Sequence, residues 1–381
     1  MQRVGIITIY KNNKNYGGLL QAYALQHAIN QLGYDSEVIT YLQNGLSYKI
    51  RRLQNLGVKR AMEYVGNRIN TKFACINSER KEGIQVRNQR LHEFEMSIPH
   101  SEFTNDDTIQ EVAANYDVLV CGSDQIWNPG LWSPVMFLDI PNCTKKRFSY
   151  AASVGRSQLT AAEKEYLRKH IGTLQSISVR ENSAKELVAP LTEQNVATVL
   201  DPTLLLDRET WVAFASKPKN CPEKFVFSFF LGNNQMPKKT IKEYYKGELP
   251  IVTIPHLQTG FKKEDEQYSD IQLYDIGPRE WVWLILNAEC VFTDSFHGTA
   301  FSINLHRPFV CFGKGKQNDT HTINSRLLDL LDICGISERF ISDSKHLEKV
   351  VGKPIDYKSV DDKMMGWKTT SLNYLKESLE K

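Results

Sequence analysis

Residues 290–312 constrain the fold more than any other stretch. Cys290-Val291-Phe292-Thr293 is a short, mostly apolar run that suits a strand buried on both faces. A polar turn, Asp294-Ser295, leads into Phe296-His297-Gly298-Thr299. A helix of small residues, Ala300 to Leu305, carries the chain away until Arg307-Pro308 stops it, and Phe309 to Phe312 reads as the next buried strand. Strand, turn, helix and strand in this order predict a parallel crossover. In such a unit the helix N-terminus points free N–H groups and the positive end of its dipole beyond the strand's carboxyl end, where anions and substrates collect. A histidine there, His297, is a natural acid–base group. The same residues also read as a Ser/Thr-capped helix with a buried histidine, and the stretch alone leaves both readings open.

The pattern recurs along the chain. Val4 to Tyr10 reads as a strand, Lys11 to Gly18 as a polar loop, and Leu19 to Leu32 as a helix with Leu20, Tyr23, Ala24, Ala28 and Leu32 at helical spacing. Gly33 ends that helix, and Glu37 to Tyr41 is the next strand. The loop holds neither GxGxxG nor a P-loop, so nucleotide binding by those devices is not supported. Further strands are expected at Tyr116–Cys121, Arg147–Ser153, Ile177–Val179, Val196–Leu200, Phe225–Leu231, Ile251–Ile254 and Gln272–Tyr274. Helices are expected after Gly277-Pro278, after Asn324 with Ser325 as N-cap, and from Thr369 to Lys381. A chain of 381 residues exceeds one ordinary core. The expected class is α/β, with two Rossmann-like domains built on parallel sheets: residues 1–205, residues 206–355, and a tail, 356–381, that returns to the first domain.

Two loops carry chemistry at expected strand ends. Gly122-Ser123-Asp124-Gln125-Ile126-Trp127-Asn128-Pro129 follows a buried strand, as the lip of an α/β cleft does. Its bland reading is an Asx-type turn closed by Asp124. Arg180 follows Ile177–Val179, where a guanidinium can grip a carboxylate or phosphate, or pair with Glu181 as structure.

Charge is uneven. Gln43 to Arg90 carries eleven Lys and Arg against three Glu, a balance of +8 within a chain of +3. It falls in an expected basic helical insertion, residues 43–100, that is either a solvated helical face or a peripheral contact for an anionic membrane. No nucleic-acid module is visible. The seven cysteines form no CxxC pair, which predicts reduced thiols and no zinc site. With no signal peptide and no apolar run of bilayer length, the expected location is cytoplasmic, peripheral at the inner membrane face if the insertion binds lipid.

Taken together, Asn15-Tyr16-Gly17 with Leu20-Gln21-Ala22-Tyr23-Ala24-Leu25, Gly122-Ser123-Asp124-Gln125 with Trp127-Asn128, Arg180-Glu181, Asp201-Pro202-Thr203 and Thr293-Asp294-Ser295-Phe296-His297-Gly298 resemble the motifs of the polysaccharide pyruvyl transferase family, in family order. The resemblance implies a GT-B-like fold with the active cleft between the domains. It implies transfer of a pyruvyl group from phosphoenolpyruvate to two hydroxyls of a sugar as a cyclic ketal, with no cofactor and no metal. His297 and Asp124 are then the catalytic candidates. Arg180, Ser295, Gly298, Thr299 and Arg326 would hold the donor. Asn15, Tyr16, Gly17, Gln21, Gln125, Trp127 and Asn128 would line the acceptor side, with Trp127 stacked on a sugar ring. Many relatives carry an arginine two residues before the histidine. This chain has Ser295 there, and Arg326 is the candidate replacement. The rival readings are a nucleotide-sugar glycosyltransferase of the same fold and an inactive glycan-binding protein. The acceptor is a polysaccharide or a lipid-linked saccharide in the first reading, and no nucleic acid is involved.

Overall fold

The computed structural model describes residues 1–43, 78–232, 235–255, 267–313 and 320–380. Two parallel sheets organise it. The first contains β1 (Arg3–Ile7), β2 (Asp35–Tyr41), β3 (His100–Thr104), β4 (Val118–Cys121) and β5 (Lys146–Ser149) in the order β3-β2-β1-β4-β5. A parallel pair, β6 (Ile177–Val179) and β7 (Val196–Thr198), extends its edge through bridges Phe148–Ser176 and Ala152–Val179. The second sheet runs β10-β9-β8-β11-β12-β13, from β8 (Val226–Phe229), β9 (Ile251–Thr253), β10 (Ile271–Gln272), β11 (Cys290–Thr293), β12 (Phe309–Phe312) and β13 (Phe340–Ile341). The central strands β4, β8, β11 and β12 are four residues each and buried throughout, which is why they read as mainly apolar runs, Ser228 and Thr293 being the polar exceptions. The strand order reverses between β1 and β4 in one sheet and between β8 and β11 in the other. The loops leaving these four strands therefore border a crevice in each domain.

Seven helices matter to the site: α1 (Tyr16–Gln31), α2 (Ser78–Ser97), α3 (Asn182–Val188), α4 (Pro278–Asn287), α5 (Phe296–Asn304), α6 (Thr320–Cys334) and α7 (Tyr357–Glu380). Several begin earlier than apolar spacing suggests. Asn15 caps α1 by accepting from Gly17 N, so the helix starts at Tyr16 and not at Leu19. Ser295 caps α5 through Gly298 N, which places His297 inside the first turn rather than in the turn before it. α6 starts at Thr320, so Ser325 is a helix-interior residue and not the expected N-cap. α7 starts at Tyr357, well ahead of Thr369.

The interface between the two sheets is largely apolar and aromatic. Tyr16 stacks on Trp281 with centroids 5.6 Å apart, and Phe229 packs edge-on to the same indole at 5.5 Å. Polar contacts fix the register: Tyr16 Oη donates to Ile276 O (2.8 Å), Asn304 Nδ2 to Thr203 O (3.3 Å), and Ser183 N to Asp329 Oδ2 (3.0 Å). α7 then crosses to the first sheet. Tyr374 Oη donates to Ser149 O (2.9 Å), Lys146 Nζ donates to Leu379 O (2.9 Å), and Ser371 Oγ accepts from Leu200 N (2.9 Å).

Of the basic segment, residues 44–77 lie outside the described residues. The rest of its cations lie on α2, where Lys81 is exposed and the three arginines turn to protein. Arg87 is buried and donates to Pro255 O at 3.1 Å, Arg90 pairs with Glu280 at 3.2 Å, and Arg80 lies over the Tyr274 ring. These three arginines tie α2 to the second domain. Among the described residues no helix is long and apolar enough to cross a membrane, and no cysteine is in a disulfide. Burial pushes the Cys290 thiol up to about 12, so it stays protonated.

Leu375, on α7, is fully buried. Leu375→Ala should cost about 2–5 kcal/mol in urea unfolding. Met365→Ala, at a 65% exposed position of the same helix, should shift it by about 0.5 kcal/mol or less. Equal effects would contradict the packing of α7 as described.

Candidate active site between the domains

The site grows from four strand ends. After β4 the chain turns at Gly122, whose φ of +129° and approach to Tyr150 O leave no room for a side chain: a Cβ would lie 1.9 Å from that oxygen. Gln21, wholly buried on α1, ties this loop to β1. Its Nε2 donates to Thr8 Oγ1 (2.8 Å) and its Oε1 accepts from Ser123 N (3.1 Å). Asp124 follows with φ +58°, a left-handed turn that Asp tolerates, and its carboxylate faces Arg180.

Arg180, at the end of β6, is the hub. Its Nη1 donates to Asp201 Oδ2 at 2.7 Å, Nη2 lies 3.4 Å from Asp124 Oδ1, and Nε lies 3.3 Å from Glu181 Oε2. The Phe296 ring covers its flat face at 4.1 Å. Burial works against the guanidinium's charge, but Asp201, Glu181 and Asp124 together raise its pKa above the usual value. Asp201 is desolvated too, yet His297 and Arg180 hold its carboxyl well below the usual range. For Glu181 burial outweighs the pull of Arg180 and Arg326 and raises the pKa. Ser153 Oγ donates to it at 2.5 Å.

The second domain supplies His297 and Arg326. His297 is 5% exposed, and its Nε2 faces Asp201 Oδ2 at 3.6 Å without a completed hydrogen bond. The opposite edge of the ring lies against Gly17. A Cβ at Gly17 would sit 2.1 Å from Nδ1, so only glycine leaves that edge clear. Asp294 braces the neighbouring loop by accepting from Leu231 N and Gly232 N, each at 2.7 Å. Arg326 reaches across to the first domain, where Gln125 with its amide oxygen turned toward the guanidinium accepts from Nη1 (2.8 Å) and Nη2 (3.1 Å). Burial and the nearby Arg180 lower the pKa of Arg326.

The structure thus brings His297, Arg180, Asp124, Gly17, Gln125 and Arg326 together. Other expected site residues have different surroundings. Trp127 is 0% exposed, stacked on Phe137 at 5.6 Å and donating to Met136 O; it has no face for a sugar and belongs to the core. Thr299 turns its hydroxyl to Cys311 Sγ, away from the cleft. Ser295, Asn15 and Asn128 cap helical turns, Gly298 packs on Thr293, and Tyr16 bridges the domains. Asp201, Glu181 and Phe296 carry much of the geometry without having been singled out as site residues. The signal for Asp201 was present: a carboxylate immediately after the apolar run Val196–Leu200, level with the other strand ends. Among the described residues no group of three His, Cys, Asp or Glu side chains is arranged to hold a metal ion.

This architecture is shared with solved sugar-nucleotide enzymes. A protein described as a UDP-N-acetylglucosamine 2-epimerase from Listeria monocytogenes superposes with a TM-score of 0.54 at 11% identity, covering 95% of this chain and 90% of that one. The Methanocaldococcus jannaschii UDP-GlcNAc 2-epimerase superposes at 0.51 with 12% identity, covering 93% of each chain. Its complex with UDP-GlcNAc and UDP gives 0.50 at 14% identity, over 95% of this chain and 98% of that one. At such identities the likeness defines the fold, a two-domain α/β fold of GT-B type. No curated protein matches the sequence. The polysaccharide pyruvyl transferase family model matches residues 15–314, and the chain belongs to that family of transferases.

The Asp201 carboxyl binds its proton more weakly in the folded than in the unfolded chain. Its contribution to stability is therefore complete above the unfolded value of about 4 and declines as the pH falls below it. Comparing wild type with Asp201→Asn by urea unfolding, the gap should be widest near about pH 7 and shrink below about pH 4. A gap that does not change with pH would show that Asp201 is not held as an anion.

Proposed function

We propose that the protein transfers a pyruvyl group from phosphoenolpyruvate to two hydroxyls of one saccharide, closing a cyclic ketal and releasing phosphate. One observation carries this reading: a buried histidine and a half-buried arginine from the second domain converge on an arginine–carboxylate cluster of the first, at the strand ends that face each other across the domain junction.

The donor carries a carboxylate and a phosphate. Arg326 is the cation best placed to meet them, because its hydrogen-bond partner Gln125 is neutral and its charge is only partly balanced by the carboxylates of Glu181 and Asp124. Arg180 is already matched by three carboxylates, so its part is to build the floor of the site. The N-terminus of α5 adds a positive dipole end beside His297.

In the reaction His297 gives a proton to the methylene carbon, and the adjacent carbon becomes an oxocarbenium-like electrophile. The first hydroxyl adds to it and loses its proton. The C–O bond to phosphate breaks, and the second hydroxyl closes the ring. Of the two hydroxyl protons, one replaces the proton placed on carbon and the other leaves with hydrogen phosphate. Asp124, 8% exposed at the cleft lip, is the group that takes a hydroxyl proton. The acceptor is a polysaccharide or a lipid-linked saccharide, and the reaction uses no cofactor beyond the donor.

Phosphate release from phosphoenolpyruvate with a panel of aryl and lipid-linked hexosides is the test, with a UDP-sugar arm for the rival glycosyl transfer. His297→Ala should lower the rate by about 10²–10⁴-fold, and loss of less than about tenfold would remove His297 from proton transfer. Arg326→Ala should raise the donor KM more than it lowers kcat. Turnover of the UDP-sugar without phosphate release from phosphoenolpyruvate would replace the reading.

A further inference from the structure

Asp201 stands where the two domains meet and has more to satisfy than any other carboxylate of the site. It is 1% exposed. Its Oδ1 accepts from Thr203 N (3.0 Å) and Thr203 Oγ1 (2.8 Å), which fixes the carboxylate plane. Its Oδ2 accepts from Arg180 Nη1 (2.7 Å) and Ser123 Oγ (3.2 Å), and it faces His297 Nε2 at 3.6 Å. One oxygen therefore serves a cation and a hydroxyl of the first domain and the imidazole of the second. The imidazole has little else to set its orientation. Nε2 is buried with no hydrogen bond completed, the ring packs edge-on to Phe296 with centroids 5.3 Å apart, and Nδ1 lies along the edge that Gly17 keeps clear.

We propose that Asp201 is the positioning residue for His297: it takes the Nε2 proton as hydrogen-bond acceptor, fixes the tautomer, and so leaves Nδ1, on the Gly17 side, as the atom that exchanges a proton with substrate. The proposal rests on the reading of His297 as the proton-transfer group. A carboxylate that holds one imidazole nitrogen determines which nitrogen remains available for chemistry. Because the carboxylate is anchored in the first domain and the imidazole in the second, the acid–base group is oriented only when the domains are together. Phe296 closes the arrangement from the side, its ring over Arg180 and against His297.

The first test needs no turnover. Long-range ¹H–¹⁵N spectra of protein labelled in its histidine rings, with His297→Gln to assign the signal, should show the neutral His297 ring protonated on Nε2. A proton on Nδ1 in the wild type overturns the proposal, whatever the enzyme's donor proves to be. In Asp201→Asn that preference should be lost, and an unchanged tautomer again overturns it. The second test is a cycle of Asp201→Asn, His297→Gln and the double variant in the phosphate-release assay. Asp201→Asn should lower kcat by about 10²–10⁴-fold with a smaller change in donor KM, and should add less than about threefold to the loss already caused by His297→Gln. Multiplying losses would assign Asp201 to structure alone. Should Asp201→Asn not fold, Thr203→Val, which removes the hydroxyl bond to Oδ1 while keeping the backbone one and so loosens the carboxylate, replaces it: a partial loss that disappears in the His297→Gln background supports the proposal, and full activity overturns it. An enzyme with the Nε2–H tautomer but no phosphate release from phosphoenolpyruvate keeps Asp201 as the positioning residue and discards the proposed donor.

Discussion

The buried pairing of Arg180 with Asp201, Asp124 and Glu181 is the interaction on which the site depends. Taking a guanidinium and three carboxylates out of water is expensive, and the mutual attraction offsets it only when geometry and hydrogen bonds are nearly complete. Here they are: Thr203, Ser123 and Ser153 donate to the carboxylates, and Phe296 shields the guanidinium face. Removing one partner from a cluster of this kind typically costs about 3–5 kcal/mol, because the remaining charge is left buried and unpaired. The cluster therefore fixes the relative placement of the loops after β4, β6 and β7 more firmly than any single apolar contact in the cleft.

The second domain completes this cluster rather than adding a separate site. His297 and Phe296 enter it from the first turn of α5, and Arg326 enters from α6. The apolar seam of Tyr16, Trp281 and Phe229 holds the domains together from one side, and α7 straps them from the other. Burial of Arg180, Glu181, Asp201 and His297 strengthens the charge interactions among them.

Much of the fold was legible. β11 and β12 have the bounds their mainly apolar runs suggest, because a strand buried on both faces lacks the polar alternation that blurs an element's ends. Helix starts were less legible, since a side-chain cap extends a helix beyond its apolar face: Asn15 and Ser295 each recruit a turn that hydrophobic spacing does not mark. The site was legible in part. His297 and Arg180 stand out by residue type at expected strand ends, whereas Arg326 enters only through the resemblance, as the replacement for the arginine that Ser295 displaces. Trp127 misled because an aromatic among polar residues looks like a cleft residue, yet its ring turns into a pocket formed with Phe137 and Met136. Beyond its place after the Val196–Leu200 run, Asp201 carries no local mark of its role, because only the fold brings it beside both Arg180 and His297.

The sequence by itself determined the parallel α/β class, the strand ends that bear chemistry and the family. These follow from short-range patterns: apolar runs, turn residues and motifs in order. The tertiary structure alone decided which charges meet. Arg180 and Asp201 are separated by two elements, and His297 lies almost a hundred residues further on. Whether an arginine binds substrate or is consumed by carboxylates depends on distances of a few ångströms between loops of different strands, and no local pattern encodes them. That is why Arg180, read as a donor contact, is a buried hub paired with three carboxylates.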